Sequence, residues 1–153
     1  MSADNESARP MTVVERAVAL RSVEAFRAVP MDQLAHVAAV AREEFHPAGS
    51  VLFREGDPPE SLFVVLSGRI RLLRGARGFG EAQSGEPLGT WSLFIDHPRR
   101  ATAEVAEDSR LLVLDREEFY EVLAEQVEVT RSMVQDLVGR LLELTGLSGE
   151  KTE

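Results

Sequence analysis

Gly89-Thr90-Trp91-Ser92-Leu93-Phe94-Ile95-Asp96-His97-Pro98-Arg99-Arg100-Ala101-Thr102-Ala103 is the stretch on which the reading of this chain turns. A Gly-led turn leaves backbone amides free to meet anionic oxygens, and an arginine at a set distance beyond it adds a paired, charge-assisted contact. Together they make a device for holding a single phosphate. It binds; it does not catalyse.

Outward from this stretch, residues 45–114 carry short apolar runs at 51–53, 62–66, 70–73, 101–105 and 111–114. Turn residues separate them: His46-Pro47-Ala48-Gly49, Glu55-Gly56-Asp57-Pro58-Pro59, Ser67-Gly68, and the segment 75–85. Closely spaced short strands with Gly and Pro turns predict a barrel or sandwich.

Helical spacing governs both ends. Val13, Ala17, Leu20 and Val23 recur on one face over 12–28, and Leu34, Val37, Ala38 and Ala41 make a second face after Pro30. Asp115 with Glu118 three residues on predicts a capping box opening a helix that buries Phe119, Val122 and Leu123. A longer helix is predicted over 127–144. Helices, a β core and helices again make an α+β chain, mainly β, in one domain.

Composition bounds the function. At 153 residues and 44% hydrophobic, the chain suits one domain with a real core. Its net charge of −9 argues against gripping nucleic acid or an anionic membrane, both of which reward positive charge. Lys151 is the only lysine, so nearly all the positive charge is arginine. Without cysteine there is no disulfide, thiolate nucleophile or Cys-ligated metal, and a reducing cytoplasm is permitted. No apolar run approaches the roughly 18 residues of a membrane span, and no signal segment opens the chain. A cytoplasmic location is expected.

Three blocks, in order, carry a family resemblance over about 18–144. The first, Ala48-Gly49-Ser50-Val51-Leu52-Phe53-Arg54-Glu55-Gly56-Asp57, resembles an opening strand and acidic turn. Ser61-Leu62-Phe63-Val64-Val65-Leu66-Ser67-Gly68-Arg69-Ile70-Arg71 resembles the hairpin that follows. The third is the stretch quoted first, running on through 106–114. The sequence resembles the cyclic nucleotide-binding domain family, of which the catabolite activator protein's regulatory domain is one type.

The resemblance implies an eight-stranded β-roll, or jelly roll, with an N-terminal helical bundle and two C-terminal helices. It divides the chain into a leader at 1–10, a domain at 11–146 and a tail at 147–153. Within the domain, 11–45 would be helical, 46–114 the roll, and 115–146 the C-terminal helices. It implies that Arg99 pairs with a cyclic phosphate and that Gly89 opens the cassette. The ligand-binding set carried over is Leu88, Gly89, Thr90, Trp91, Ser92, Arg99, Arg100, Ala101 and Thr102, with a cyclic nucleotide such as cAMP or cGMP, or a related phosphate-bearing nucleotide, as the ligand.

One position departs from the family. A glutamate that accepts from the ribose 2′-hydroxyl usually follows the glycine, and here Thr90 stands there. A charged acceptor contributes about 1.5–3 kcal/mol and a neutral hydroxyl about 1, so an ordinary cyclic nucleotide should bind roughly tenfold more weakly. A domain that keeps the fold without the nucleotide, as a dimerisation or docking scaffold, is the rival expectation.

Other features are weighed beside these. Phe79-Gly80-Glu81-Ala82 imitates the cassette opening, but no arginine lies near the required distance from Gly80. Arg100, neighbouring Arg99 in a strand-like segment, is expected to face the other way into solvent. The single tryptophan, Trp91, is more often core than base-stacking. Arg69, Arg71, Arg74 and Arg77 read as a solvated hairpin face. His36, His46 and His97 lie too far apart to resemble a cupin metal site, and no catalytic motif appears.

Val127, Thr130, Val134, Leu137, Leu141 and Leu144 follow 3-4 spacing, with Met133, Val138 and Leu142 widening the apolar surface. One stripe would close over the roll and the other meet a twin helix, as in family transcription factors, so a homodimer through 127–144 is expected. Too few residues follow 144 for the helix-turn-helix domain those factors append, so no direct DNA reading is expected. The predicted protein is a non-enzymatic sensor acting on a separate effector protein.

Overall fold

Thr12 starts the first helix by a reciprocal cap: its hydroxyl accepts from the Glu15 amide at 3.1 Å, while the Glu15 carboxylate accepts from the Thr12 amide at 2.9 Å. In the computed structural model, which describes residues 9–146, that helix is α1 (Val13–Leu20). A 3-10 turn (Glu24–Phe26) and α2 (Met31–Val40) follow. The expected leader falls outside the described residues except for Arg9 and Pro10, and the expected tail lies wholly outside them. Then come β1 (Arg42–His46), β2 (Val51–Phe53), β3 (Ser61–Arg74), β4 (Arg77–Gln83) and β5 (Pro87–Leu88). A second 3-10 turn (Thr90–Leu93), β6 (Thr102–Asp115), α3 (Arg116–Glu125) and α4 (Val127–Thr145) complete the chain.

Six strands are present where the resemblance implied eight. The runs at 62–66 and 70–73 are one strand, β3, and those at 101–105 and 111–114 are one strand, β6. Ser67-Gly68 is therefore a bulge and not a chain reversal: pairing with β6 slips in register on both sides of it and continues. Gly68 has φ 99°, and a Cβ there would lie 2.1 Å from Ser109 Oγ. That hydroxyl is fully buried, accepts from the Arg69 amide at 3.1 Å and donates to the Glu107 carbonyl at 2.7 Å. Two long strands bending together at Gly68 and Ser109 do the work of four short ones.

All strands join one antiparallel sheet in the order β1-β6-β3-β4, with β2 on β6 and β5 on β3. Two strands depart from the sequence expectation. Residues 42–45, expected with the helices, belong to β1, and 75–85, expected as a break, contains β4.

The apolar runs of β3 and β6 are continuous because both faces are covered. Leu62, Val64, Leu112 and Leu114 pack on the helical layer with Phe26, Leu34, Phe119 and Met133. The alternate residues Phe63, Val65, Leu111 and Val113 face the roll interior with Ile70, Leu88, Ala103 and Val105. The helical layer is thus fastened to one side of the sheet, and the roll interior opens on the other.

Asp115 occupies the N-cap position of α3 but makes no capping bond. Its carboxylate accepts from Ser61 Oγ at 2.9 Å and pairs with Arg42, so the expected capping box is not formed. Burial disfavours its charge, yet the bonds from Arg42 and Ser61 outweigh this and hold the carboxyl below its usual range.

Helix α4 buries Val129 and Met133 against the helical layer, and not over the roll. Val127, Val134, Leu137, Val138, Leu141 and Leu144 stay exposed along its outer side. No helix among the described residues is long and apolar enough to cross a membrane.

Candidate functional site

Gly89 adopts φ 70°, ψ 35°, the left-handed conformation that favours glycine. It turns the chain from β5 into the 3-10 turn Thr90–Leu93, which closes with the Ser92 amide donating to the Gly89 carbonyl at 2.9 Å. Because Thr90 and Trp91 begin that turn, their amides have no acceptor within it. A Cβ at position 89 would lie 2.5 Å from Arg99 Nη1 and 2.9 Å from Ser92 Oγ. The glycine is required twice, by its backbone angle and by the side chains pressed against it.

Arg99 is the buried cation among the described residues, 8% exposed. Its backbone is pinned to the turn after β2, with its amide donating to the Asp57 carbonyl and its carbonyl accepting from Gly56, each at 2.8 Å. The guanidinium donates from Nη1 to Ser92 Oγ at 2.5 Å and from Nη2 to the Ser61 carbonyl at 2.7 Å. It lies 4.0 Å from the ring centre of Phe53 and 6.0 Å from that of Phe63. Nε is buried with no hydrogen-bond partner. Desolvation lowers its pKa, against the through-space pull of Asp57 and Glu60, neither of which forms an ion pair with it. A buried guanidinium held only by neutral acceptors is a fixed positive charge without a counter-ion.

A cavity of about 330 Å³ opens beside it. Its polar lining comes from Thr90, Ser92, His97, Arg99 and Arg100, and its apolar lining includes Phe53, Leu72, Leu88, Trp91, Ile95 and Ala101. Eight of the nine residues read from sequence as ligand-binding are brought together here. Thr102 is not among them: its hydroxyl accepts from the Glu55 amide at 2.9 Å, tying β6 to the turn after β2.

One individual expectation is met in part and one is overturned. Arg100 is exposed to solvent as expected, yet it lines the same cavity as Arg99, because both precede β6, where strand alternation does not yet apply. Trp91 is 53% exposed at the cavity and packs edge-on against Phe94 at 6.4 Å, outside the core.

Sequence reading missed Phe53, Leu72, Ile95, His97 and Pro98 as cavity residues. Ile95, His97 and Pro98 lay inside the quoted stretch, whereas Phe53 and Leu72 arrive from β2 and β3 through strand pairing. Their only sequence signal was membership of apolar runs.

The remaining candidates are accounted for elsewhere. Arg69 pairs with Glu81 and Glu107 and Arg71 with Glu104, so these two are balanced where they stand, while Arg74 lies over Phe79; none of the hairpin arginines lines the cavity. Gly80, the false cassette opening, sits mid-strand in β4 opposite Leu72. His36 is exposed on α2 and His46 bonds Glu44, while His97, which lines the cavity, bonds the Pro98 carbonyl. No group of metal-ligating side chains occurs among the described residues.

The cassette is also joined to α3. Tyr120 Oη donates to the Leu93 carbonyl at 2.7 Å, Phe94 meets Phe119 edge-on at 5.7 Å, and Arg116 pairs with Asp96 at 3.4 Å. These contacts tie the 90–96 segment to α3.

Known proteins resemble this chain in sequence and in fold. The family model described as "Cyclic nucleotide-binding domain" matches residues 43–126. The chain is 33% identical over 119 residues to the cyclic AMP receptor protein of Thermus thermophilus, covering 72% of this chain and 55% of that protein. It is 29% identical over 107 residues to human cGMP-dependent protein kinase 2, covering 65% of this chain and 14% of the kinase. The chain thus spans about half of the first relative and a small part of the second. Among solved structures, the N-terminal domain of a transcriptional regulator from Streptomyces coelicolor superposes with a TM-score of 0.74 at 29% identity, covering 82% of this chain and 94% of that one. By its fold, by the Gly89–Arg99 cassette and by these matches, the chain belongs to the cyclic nucleotide-binding domain family.

Proposed function

We propose that the cavity binds a cyclic nucleotide, such as cAMP or cGMP, or a related phosphate-bearing nucleotide, and that occupancy is passed through α3 and α4 to a separate effector protein. Arg99 carries this reading. Its guanidinium is buried, paired with no carboxylate, and retains an N–H at Nε with no acceptor, an arrangement that costs about 1–3 kcal/mol unless something accepts it. A phosphate in the adjoining cavity supplies charge and acceptors together. The relatives named for cyclic AMP and cyclic GMP favour the same ligand class.

Residues 11–146 form the binding unit in this proposal, Thr90 receives the ribose less strongly than a glutamate would, and the protein acts in the cytoplasm without chemistry of its own. The contacts from Leu93, Phe94 and Asp96 to α3 supply the output, since a ligand shifts a helix only if it prefers one arrangement of it. The exposed stripe of α4 from Val127 to Leu144 provides a dimer seam.

Thermal unfolding with and without millimolar cAMP or cGMP tests the binding. A ligand present at about 100 times its Kd stabilises by about 2.7 kcal/mol, and Arg99→Ala should erase that shift. Absence of any shift in the unmodified protein would leave the scaffold reading in its place.

A further inference from the structure

Charge around the cavity is distributed in a way that one phosphate does not use. The chain has a net charge of −9, yet no Asp or Glu lines the cavity, while Arg99, Arg100 and His97 do. Arg99 is buried, whereas Arg100 is exposed and makes no ion pair among the described residues. Its backbone is nevertheless held, because the Arg100 carbonyl accepts from Arg74 Nε at 3.3 Å. Adjacent arginines on a regular strand would diverge to opposite faces. Here both serve one cavity, one at depth and one in contact with solvent.

Position 90 adds to this. Thr90 is a cavity residue, and its hydroxyl is neutral. A carboxylate there would repel additional negative charge on a ligand across a few ångströms of partly dry space. The cavity volume, about 330 Å³, sits at the small end for ligand sites, so one nucleoside body fills it and any further group projects to the mouth.

We infer that the site is built for a nucleotide bearing two separate phosphate groups, one seated on Arg99 and the second at the mouth on Arg100. This rests on the proposal that Arg99 receives a phosphate. The second group adds a charge-assisted contact that a cyclic monophosphate cannot make, and Thr90 leaves room for its charge.

Adenosine 3′,5′-bisphosphate and cAMP share the nucleoside and differ in the number of phosphate groups, which makes them the matched probes. Titration calorimetry at fixed ionic strength should find the bisphosphate at least fivefold tighter. Arg100→Ala should bring the ratio of the two affinities close to one, and Arg100→Lys should keep most of the preference. Thr90→Glu should reverse the order, weakening the bisphosphate and strengthening cAMP. Thermal unfolding without ligand checks that each variant is folded.

cAMP binding as tight as the bisphosphate overturns the inference while leaving phosphate binding intact. The same holds if Arg100→Ala weakens both ligands alike, or if Thr90→Glu leaves their order unchanged. Failure of both ligands to bind the unmodified protein overturns the inference together with the phosphate reading beneath it.

Discussion

Two recesses lie on either side of Ser61, and they treat arginine differently. In the cavity, Arg99 reaches the Ser61 carbonyl, and neither Arg99 nor Arg100 meets a carboxylate. In the groove beyond, of about 700 Å³, the Ser61 hydroxyl turns to Asp115, which is paired with Arg42, while Arg116 is paired with Asp96. Glu60 and Glu117 also line that groove. Its positive charge is already answered by protein carboxylates, so it behaves as a structural joint between the sheet and α3. Of these two recesses, only the cavity keeps cations without an ion pair, so an incoming anion has more to gain there than in the groove.

Gly89→Ala breaks the comparison most severely. The new Cβ would meet Arg99 Nη1 at 2.5 Å and take up φ 70°, so the guanidinium must move. Nucleotide affinity should fall at least about tenfold and stability by about 1–3 kcal/mol, read by titration and thermal unfolding. Gly85→Ala is the control, because its φ is 90° but nothing lies within 4 Å of the added carbon. It should show the backbone cost with no loss of affinity.

Asp115→Asn tests the groove. Because the Asp115 carboxyl is held below its usual range, its ion pair stabilises the fold above the ordinary Asp pKa of about 3.9 and fades as pH falls through the lowered value. The variant should therefore be less stable by no more than about 1 kcal/mol at neutral pH, with the difference shrinking in acid. A difference that persists undiminished in acid would remove the ion pair as its cause. The smallest effect belongs to the hairpin: Arg69→Ala removes two solvent-exposed pairs and should leave the thermal unfolding midpoint nearly unchanged, with nucleotide affinity untouched.

The legible parts of this chain were those whose physics is local. Gly89 and Arg99 declare themselves because a left-handed turn needs glycine, and the arginine stands at a set distance beyond it in the same short stretch. Helix α4 was visible through its 3-4 apolar spacing, although which side it buries was not. β1 escaped because Arg42, Glu43, Glu44 and His46 look like a charged surface helix, and its extended state comes from pairing residue by residue with β6. β4 escaped for a related reason: of Arg77–Gln83 only Ala82 is buried, and two glycines dilute its strand signal. The Ser67-Gly68 signal was real but misassigned, since a bulge and a hairpin use the same residues.

Asp115 makes the same point at a single side chain. Its spacing to Glu118 suits a capping box, but Ser61 and Arg42, far away in sequence, compete for the carboxylate and win. Local propensity proposes, and partners brought in by the sheet dispose.

By itself, the order of residues determined that a glycine-led turn followed by an arginine sits within a β core between helices, because backbone angle, helical period and turn chemistry are written within a few residues of one another. Tertiary structure alone decided that four short runs become two bent strands, that Phe53 and Leu72 wall the cavity, and that Arg100 joins Arg99 while Thr102 does not. Those outcomes follow from strand register between segments tens of residues apart. Register is set by burying both faces of β3 and β6 at once, a condition met only when the whole sheet and its helical layer come together.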